Sequence, residues 1–174
     1  MIITNLVYTT SFAAPLELPF IHNHLPNTKY NPDNFRGLII KIESGTCLVF
    51  HNGKVVIVGT RARKDAIKVR DALFDELDAL GFCVAMNDIK LANIVAFHKY
   101  DTDRVHLDKL YEILRLEYNV SFEPELSPAL MLKLPGTVRI FHNGKVIFTG
   151  FTDFGALDVA FDTVGKLLKR KISD

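Results

Sequence analysis

FHNGKVVIVG, from Phe50 to Gly59, and FHNGKVIFTG, from Phe141 to Gly150, are identical at seven of ten positions. Chance is a poor source of such a match, and the chain reads as an internal duplication with a period of 91 residues. Other pairs fall at similar offsets: Asn5 in TNLV answers Asn93 in ANIV, and YNPDNF, ending at Phe35, answers FEPELS, ending at Ser127. The duplication divides the chain into a first repeat, residues 1–85, and a second, residues 86–174, with the boundary region between Gly81 and Ile89. Each copy is expected to begin with a β-rich segment, pass through a helical stretch, continue through three short strands and end on a long amphipathic helix.

Outward from the decamers, periodicity assigns the elements. Ala62, Ala66, Val69, Leu73, Leu77 and Leu80 recur at helical spacing, which predicts a helix from Arg61 to Leu80 with Gly81 as its stop. Leu157, Ala160, Phe161, Val164 and Leu168 form the matching stripe of a helix from about Ala156 to Lys169. The strands between Leu38 and Val58 divide by the period of two into opposite faces. Leu38, Ile40, Ile42, Cys47, Val49, Val55 and Ile57 form the set that meets the helices. The opposite set is Phe35, Ile39, Lys41, Leu48, Phe50, Lys54, Val56 and Val58, too apolar for a face meant only for water yet carrying lysines near its rim. An open apolar face of that kind implies a flat, partly apolar partner. Each HNGK tetrapeptide reads as a two-residue type I′ hairpin turn, with Asn-Gly supplying two positive φ values.

The bulk composition narrows the classes. With 174 residues, 48% of them hydrophobic and 24% charged, the chain has material for a packed core and no low-complexity tract. A net charge of +1 leaves any nucleic-acid partner to rest on local placement of Lys and Arg. Cys47 and Cys83 are far apart and lack zinc-like spacing, so they imply neither a metal site nor a disulfide framework. Met1 to Phe20 lacks a basic leading segment and is interrupted by Pro15, Glu17 and Pro19, which argues against a signal peptide. No apolar run is long enough to span a membrane, so the sequon at Asn119 carries no weight. No phosphate-binding G-x-x-x-x-G-K-[ST], no G-x-S-x-G elbow and no metal-ligand spacing occurs, and no catalytic residue or cofactor is assigned. His51 and His142 read as turn histidines, and Asp101 and Asp103 as an acidic pair with no cleft to occupy.

The order N-[LI]-V, then Y-N-P-x-x-F, then a strand ending F-x-x-G-K-V, present twice across essentially the whole chain, resembles the core of the TATA-binding protein family. The resemblance implies an α+β fold of two pseudo-symmetric repeats forming a saddle-shaped, curved antiparallel sheet with helices on its convex face. It implies a non-enzymatic transcription initiation factor that recognises A/T-rich double-stranded DNA through the minor groove. The wedging of apolar side chains between base steps, with sharp bending, is a known property of the TATA-binding protein itself, carried over by likeness. Phe35 and Phe50 match the first wedge pair; Phe141 matches the second, but Ser127 stands where the family has its other phenylalanine.

Asn5 and Asn93 match the central asparagines that hydrogen-bond base acceptors. Val7, Val95, Val56, Val58, Ile147 and Thr149 match apolar contact positions around them. Ile39 and Leu48 lie on the same face, and Leu48 has Arg139 as its counterpart. Lys41, Lys54, Lys133 and Lys145 match cations near the phosphates. Glu123, Glu125 and Leu126 match the loop that receives transcription factor IIB. The helix beginning Arg61, Arg63 and Lys64 resembles in outline the surface for transcription factor IIA, and RNA polymerase is the downstream partner. Ser127 and Arg139 keep open a second reading, a family relative with a weakened DNA face that acts as a protein scaffold in transcription. The start of the chain, with no long extension before the first repeat, fits an archaeal or viral member better than a eukaryotic one. The location implied is the cytoplasm in an archaeon, the nucleus in a eukaryote, or a site of viral transcription.

Overall fold

The computed structural model describes residues 1–82, 85–102 and 104–169; Cys83 and Asp103 lie outside the described residues. Two compact units are present, Asn5–Ala92 and a second made of Met1–Thr4 with the chain from Asn93 onward. The first repeat runs β1 (Ile2–Ser11), α1 (Leu18–His24), β2 (Thr28–Asn31), β3 (Phe35–Ile42), β4 (Gly45–Val49), β5 (Lys54–Thr60) and α2 (Arg63–Ala79). Its strands lie in the order β2-β3-β4-β5-β1, antiparallel at every pairing. The second repeat runs β6 (Lys90–Lys99), α3 (Leu107–Leu114), β7 (Asn119–Ser121), β8 (Ala129–Lys133), β9 (Thr137–Phe141), β10 (Lys145–Phe151) and α4 (Phe154–Lys169). Its strands lie β6-β10-β9-β8-β7, again antiparallel.

Four strands rather than three follow the short helix in each repeat. The additional ones, β2 and β7, are outermost and only four and three residues long, too short for alternation to reveal them. The parity reading holds where it matters. Leu38, Ile40, Cys47, Val49, Val55 and Ile57 are fully buried, as are Ala66, Val69, Leu73 and Leu77 of α2, which packs across β3 to β5. Ile42, assigned to the same side, is only half-buried at its strand end. Leu130, Leu132, Val138, Ile140, Val146 and Phe148 are likewise buried in the second repeat, together with Leu157, Ala160, Val164 and Leu168 of α4. Burying each Val, Leu, Ile or Phe side chain among these stabilises by about 1.5–3 kcal/mol.

The helix ends follow local chemistry. Gly81, at φ 88°, ends α2 with paired bonds from its N–H to the Asp78 carbonyl (2.8 Å) and from Phe82 N–H to the Leu77 carbonyl (3.0 Å). This is the Schellman arrangement that a glycine stop predicts. Asp153 caps α4, its Oδ1 accepting from Ala156 N–H at 2.8 Å.

The HNGK turns differ from the type I′ expectation, because no non-glycine among the described residues has a positive φ. Gly53 alone turns left-handed (φ 82°), its N–H donating to the Phe50 carbonyl at 2.9 Å, while Phe50 N–H donates to the Lys54 carbonyl at 2.9 Å. That is a three-residue loop closed by a glycine bulge. Asn52 contributes through its side chain, accepting from Lys54 N–H at 3.1 Å, and Asn143 repeats the contact with Lys145 at 3.0 Å. Gly53 is also needed for space, since a Cβ there would lie 2.7 Å from the Phe12 carbonyl oxygen.

Candidate nucleic-acid interface

The side of the first repeat's strands opposite α2 is a row-by-row apolar surface. One residue from each of four strands lines up in register as Ile39, Leu48, Val56 and Thr9, all half-buried. At the outer end Phe35, 36% exposed, meets Phe50 edge-to-face, with ring centroids 5.7 Å apart and planes at 69°. Gly37 is the seat of this pair. A Cβ added there would come within 2.6 and 2.9 Å of Phe35 ring carbons and 3.1 Å of Phe50. Lys41 and Lys54 are exposed at the rim.

The corresponding row of the second repeat is Met131, Arg139, Ile147 and Phe97. Its seat position holds Ala129, which pairs with Phe141, and Ser127 stands in place of Phe35. The Ser127 hydroxyl folds back to accept from Ala129 N–H at 3.3 Å. Arg139 is exposed, and the salt bridges among the described residues lie elsewhere, on Arg63, Arg70 and Arg115. Lys133 donates to the Thr137 hydroxyl at 2.8 Å. Lys145 Nζ lies 5.4 Å from the Phe97 ring centre and 6.0 Å from that of Phe141.

Asn5 and Asn93 occupy equivalent places at irregularities of the ladder, where the register shifts between Leu6 and Tyr8 and between Phe148 and Phe151. Asn5 Oδ1 accepts from Gly59 N–H at 2.9 Å and Asn93 Oδ1 from Gly150 N–H at 2.7 Å. A backbone N–H only donates, so each side-chain oxygen must face its glycine and each NH2 group turns away from it. Neither Nδ2 has a protein acceptor among the described residues. Each repeat therefore offers a pre-set pair of amide donors beside half-buried Val7 or Val95, with Val58 or Thr149 on the neighbouring strand. Gly59 and Gly150, at φ 82° and 78°, make the bulges possible.

Every strand residue assigned from the sequence to the DNA-facing set lies on the open face of its own repeat. Thr9, Phe97 and Met131 share that face and were missed. Extending the alternation Asn5, Val7 and Asn93, Val95 by one step finds the first two, and the repeat-equivalence with Ile39 finds Met131.

A sequence profile described as transcription factor TFIID (or TATA-binding protein, TBP) matches residues 1–80 and 88–171. The chain belongs to this family. Its relatives include the TATA-box-binding protein-like 1 of Entamoeba histolytica, 31% identical over 173 residues, 96% of this chain and 78% of that one. The TATA-box-binding protein of Methanococcus maripaludis is 30% identical, covering 96% of this chain and 93% of its own. The solved structure of Methanococcus jannaschii TBP superposes with a TM-score of 0.82 at 28% identity, over 97% of this chain and 98% of that one. The TATA-binding-protein fold thus extends over 97% of the chain.

The remaining positions matched by the resemblance lie off the sheet faces. Glu123, Glu125 and Leu126 form a tight turn closed by bonds from Leu126 and Ser127 N–H to the Glu123 carbonyl, at 3.0 and 2.9 Å. Leu126 is 81% exposed. Beside the turn, Phe122 and Pro124 line an open groove of about 1120 Å³ with Tyr111 and Ile113 of α3. On α2, Arg63 and Arg70 both hold Asp88, at 3.1 and 3.2 Å. The Ile89 N–H first, then these two cations, keep the Asp88 carboxyl below its usual range. His51 donates through Nδ1 to the Leu16 carbonyl at 2.9 Å, a turn-fixing role. Burial, aided by the Glu76 carboxylate, pushes the Cys47 thiol up to about 12. No helix among the described residues is long and apolar enough to cross a membrane.

Proposed function

We propose that this TATA-binding-protein family member is a non-enzymatic transcription initiation factor that binds A/T-rich promoter DNA through the minor groove and bends it. The observation that carries the reading is the pair of asparagine amides whose oxygens are tied to Gly59 and Gly150, leaving donors on an otherwise apolar face. A minor groove of A·T pairs presents only acceptors, whereas the guanine amino group adds a donor and obstructs close apolar contact. The repeats, residues 1–85 and 86–174, each contribute one face. The first bears Asn5, Val7, Ile39, Leu48, Val56 and Val58; the second bears Asn93, Val95, Arg139, Ile147 and Thr149. Lys41, Lys54, Lys133 and Lys145 add sequence-independent attraction. Phe35 with Phe50 forms the wedge of the first repeat, whereas Phe141 has only Ser127 beside it.

The exposed Leu126, flanked by Glu123 and Glu125, supports docking of a transcription factor IIB-like partner and, through it, RNA polymerase. Ser127 and Ala129 favour a second reading, in which the DNA face is weakened and binding is secured by partners. Selection from random duplexes, with and without a IIB-like protein, tests both. Enrichment of A/T-rich sites by the protein alone supports the first reading, enrichment only with the partner supports the second, and no enrichment in either arm refutes the DNA function.

A further inference from the structure

The second repeat departs from the first where a wedge would enter, and it does so at several linked positions. Phe97 stands on β6 where the first repeat has Thr9, in register with Ile147 and through it with Arg139. Lys145 Nζ reaches over both Phe97 and Phe141, each within the ~6 Å range of cation–π attraction. In the first repeat the ring equivalent to Phe141 packs on another ring instead, Phe50 against Phe35. Lys99, the register partner of Lys145, donates to the Asn143 carbonyl, so its charge is committed to the turn.

We propose that the second repeat grips DNA with cations seated on the sheet, Arg139 and Lys145, and that Phe97 is the positioning residue for Lys145. The preferred duplex then has two unlike halves: a flexible pyrimidine–purine step for the Phe35–Phe50 pair, and an A-tract for Arg139 and Lys145. This rests on the minor-groove reading above. TA and CA steps unstack readily, whereas A-tracts are stiff and have a narrow minor groove whose negative potential draws in cations. Ser127 cannot pry a stiff tract open, and a guanidinium or ammonium has no need to. Both groups only donate, which suits a groove that offers only acceptors. The two rings restrain a lysine stem that would otherwise sweep through solvent, so less freedom is lost on binding.

Three duplexes of equal A·T content test this, with the step and the tract at opposite ends, tracts at both ends, or TA steps at both ends. Affinity is read by anisotropy and unstacking by permanganate oxidation of thymines at each end. The mixed duplex should bind tightest, with reactive thymines at the step end alone. Phe97→Thr and Lys145→Met should each reduce its preference over the all-step duplex about 2- to 5-fold, the range of an exposed cation–π contact. Phe97→Tyr should retain the preference. Lys145 is exposed, so its variant carries the test even if Phe97→Thr unfolds. No binding to any duplex would overturn the minor-groove reading itself. Equal binding to all three, reactive thymines at both ends, or a uniform loss in both variants would overturn this inference and leave that reading standing.

Discussion

Replacing Asn5 by Asp keeps an oxygen where Gly59 N–H needs one and puts a second, negatively charged oxygen where the amide NH2 was. Within the folded protein the contact becomes charge-assisted, and stability should move by no more than about 1 kcal/mol. On DNA the change is of another order. One or two donor bonds are lost, each about 0.5–1.5 kcal/mol, and an unpaired charge is buried against base acceptors, which costs about 3–5 kcal/mol. Even the lower figure corresponds to more than about a hundredfold weaker binding. Thermal unfolding together with anisotropy on an A·T duplex measures both effects on one sample. Asn93→Asp should behave alike, since Gly150 N–H holds Asn93 Oδ1 at 2.7 Å. An asparagine that served only to fix the bulge would leave both measurements unchanged, so binding within about threefold of the parent would refute the donor argument.

Four further outcomes are expected. Ser127→Phe alone should raise bending little, because its ring must share the seat with the Ala129 Cβ, whereas Ser127→Phe with Ala129→Gly reproduces the Gly37 seat and should raise both bend and complex lifetime by fluorescence energy transfer; equal effects of the single and double variants would contradict the role given to Gly37. Neutralising Lys41, Lys54 or Lys133 should each reduce the slope of log affinity against log salt by up to about 0.9, and a salt-insensitive complex would count against phosphate contact. Glu125→Arg should abolish pull-down of a IIB-like factor while sparing the DNA gel shift, and equal damage to both would make the turn structural. Burial, and secondarily the N-terminal ammonium, holds the His98 imidazole below its usual range, so the unfolded chain takes up this proton first as pH falls. Stability should therefore decline with acidification from about pH 6.5 down to the lowered folded value and be flat above it. Urea titrations of wild type and His98→Gln check this, and identical pH profiles would remove His98 from the account.

The two faces of each repeat's strands were legible because a period of two assigns every strand residue to one side once a single one is known, and Phe50 to Gly59 with its copy Phe141 to Gly150 supplied that anchor in both repeats. The stop of α2 was legible because Gly81 acts through its own backbone. The turn type was not. Asn-Gly serves both a two-residue turn and a three-residue loop with glycine left-handed, and here a distant contact, Phe12 N–H to the Gly53 carbonyl at 2.9 Å, accompanies the longer form. β2 and β7 escaped notice because four and three residues carry no period, and they exist by pairing with β3 and β8. Of the candidate site, the asparagines were legible as a recurrence, but the fixing of their amides by Gly59 and Gly150 depends on bulges that no local pattern announces. Phe97 was overlooked because it reads as one more apolar residue until Lys145 is seen above it.

Met1–Thr4 belongs with the unit that otherwise begins at Asn93, and the Thr4 hydroxyl donates to the carbonyl of Val95, 91 residues later. A ribosome adding about 5–20 residues each second delivers Val95 on the order of ten seconds after Thr4. During that interval the opening residues have no strand to join, and a nascent Ile2-Ile3 segment is an unpaired edge open to another chain. Synthesis arrested before the second repeat should leave the first residues protease-sensitive even where Asn5 to Ala92 has already folded. Met1–Thr4 are thus placed only after the chain beyond Asn93 has been made.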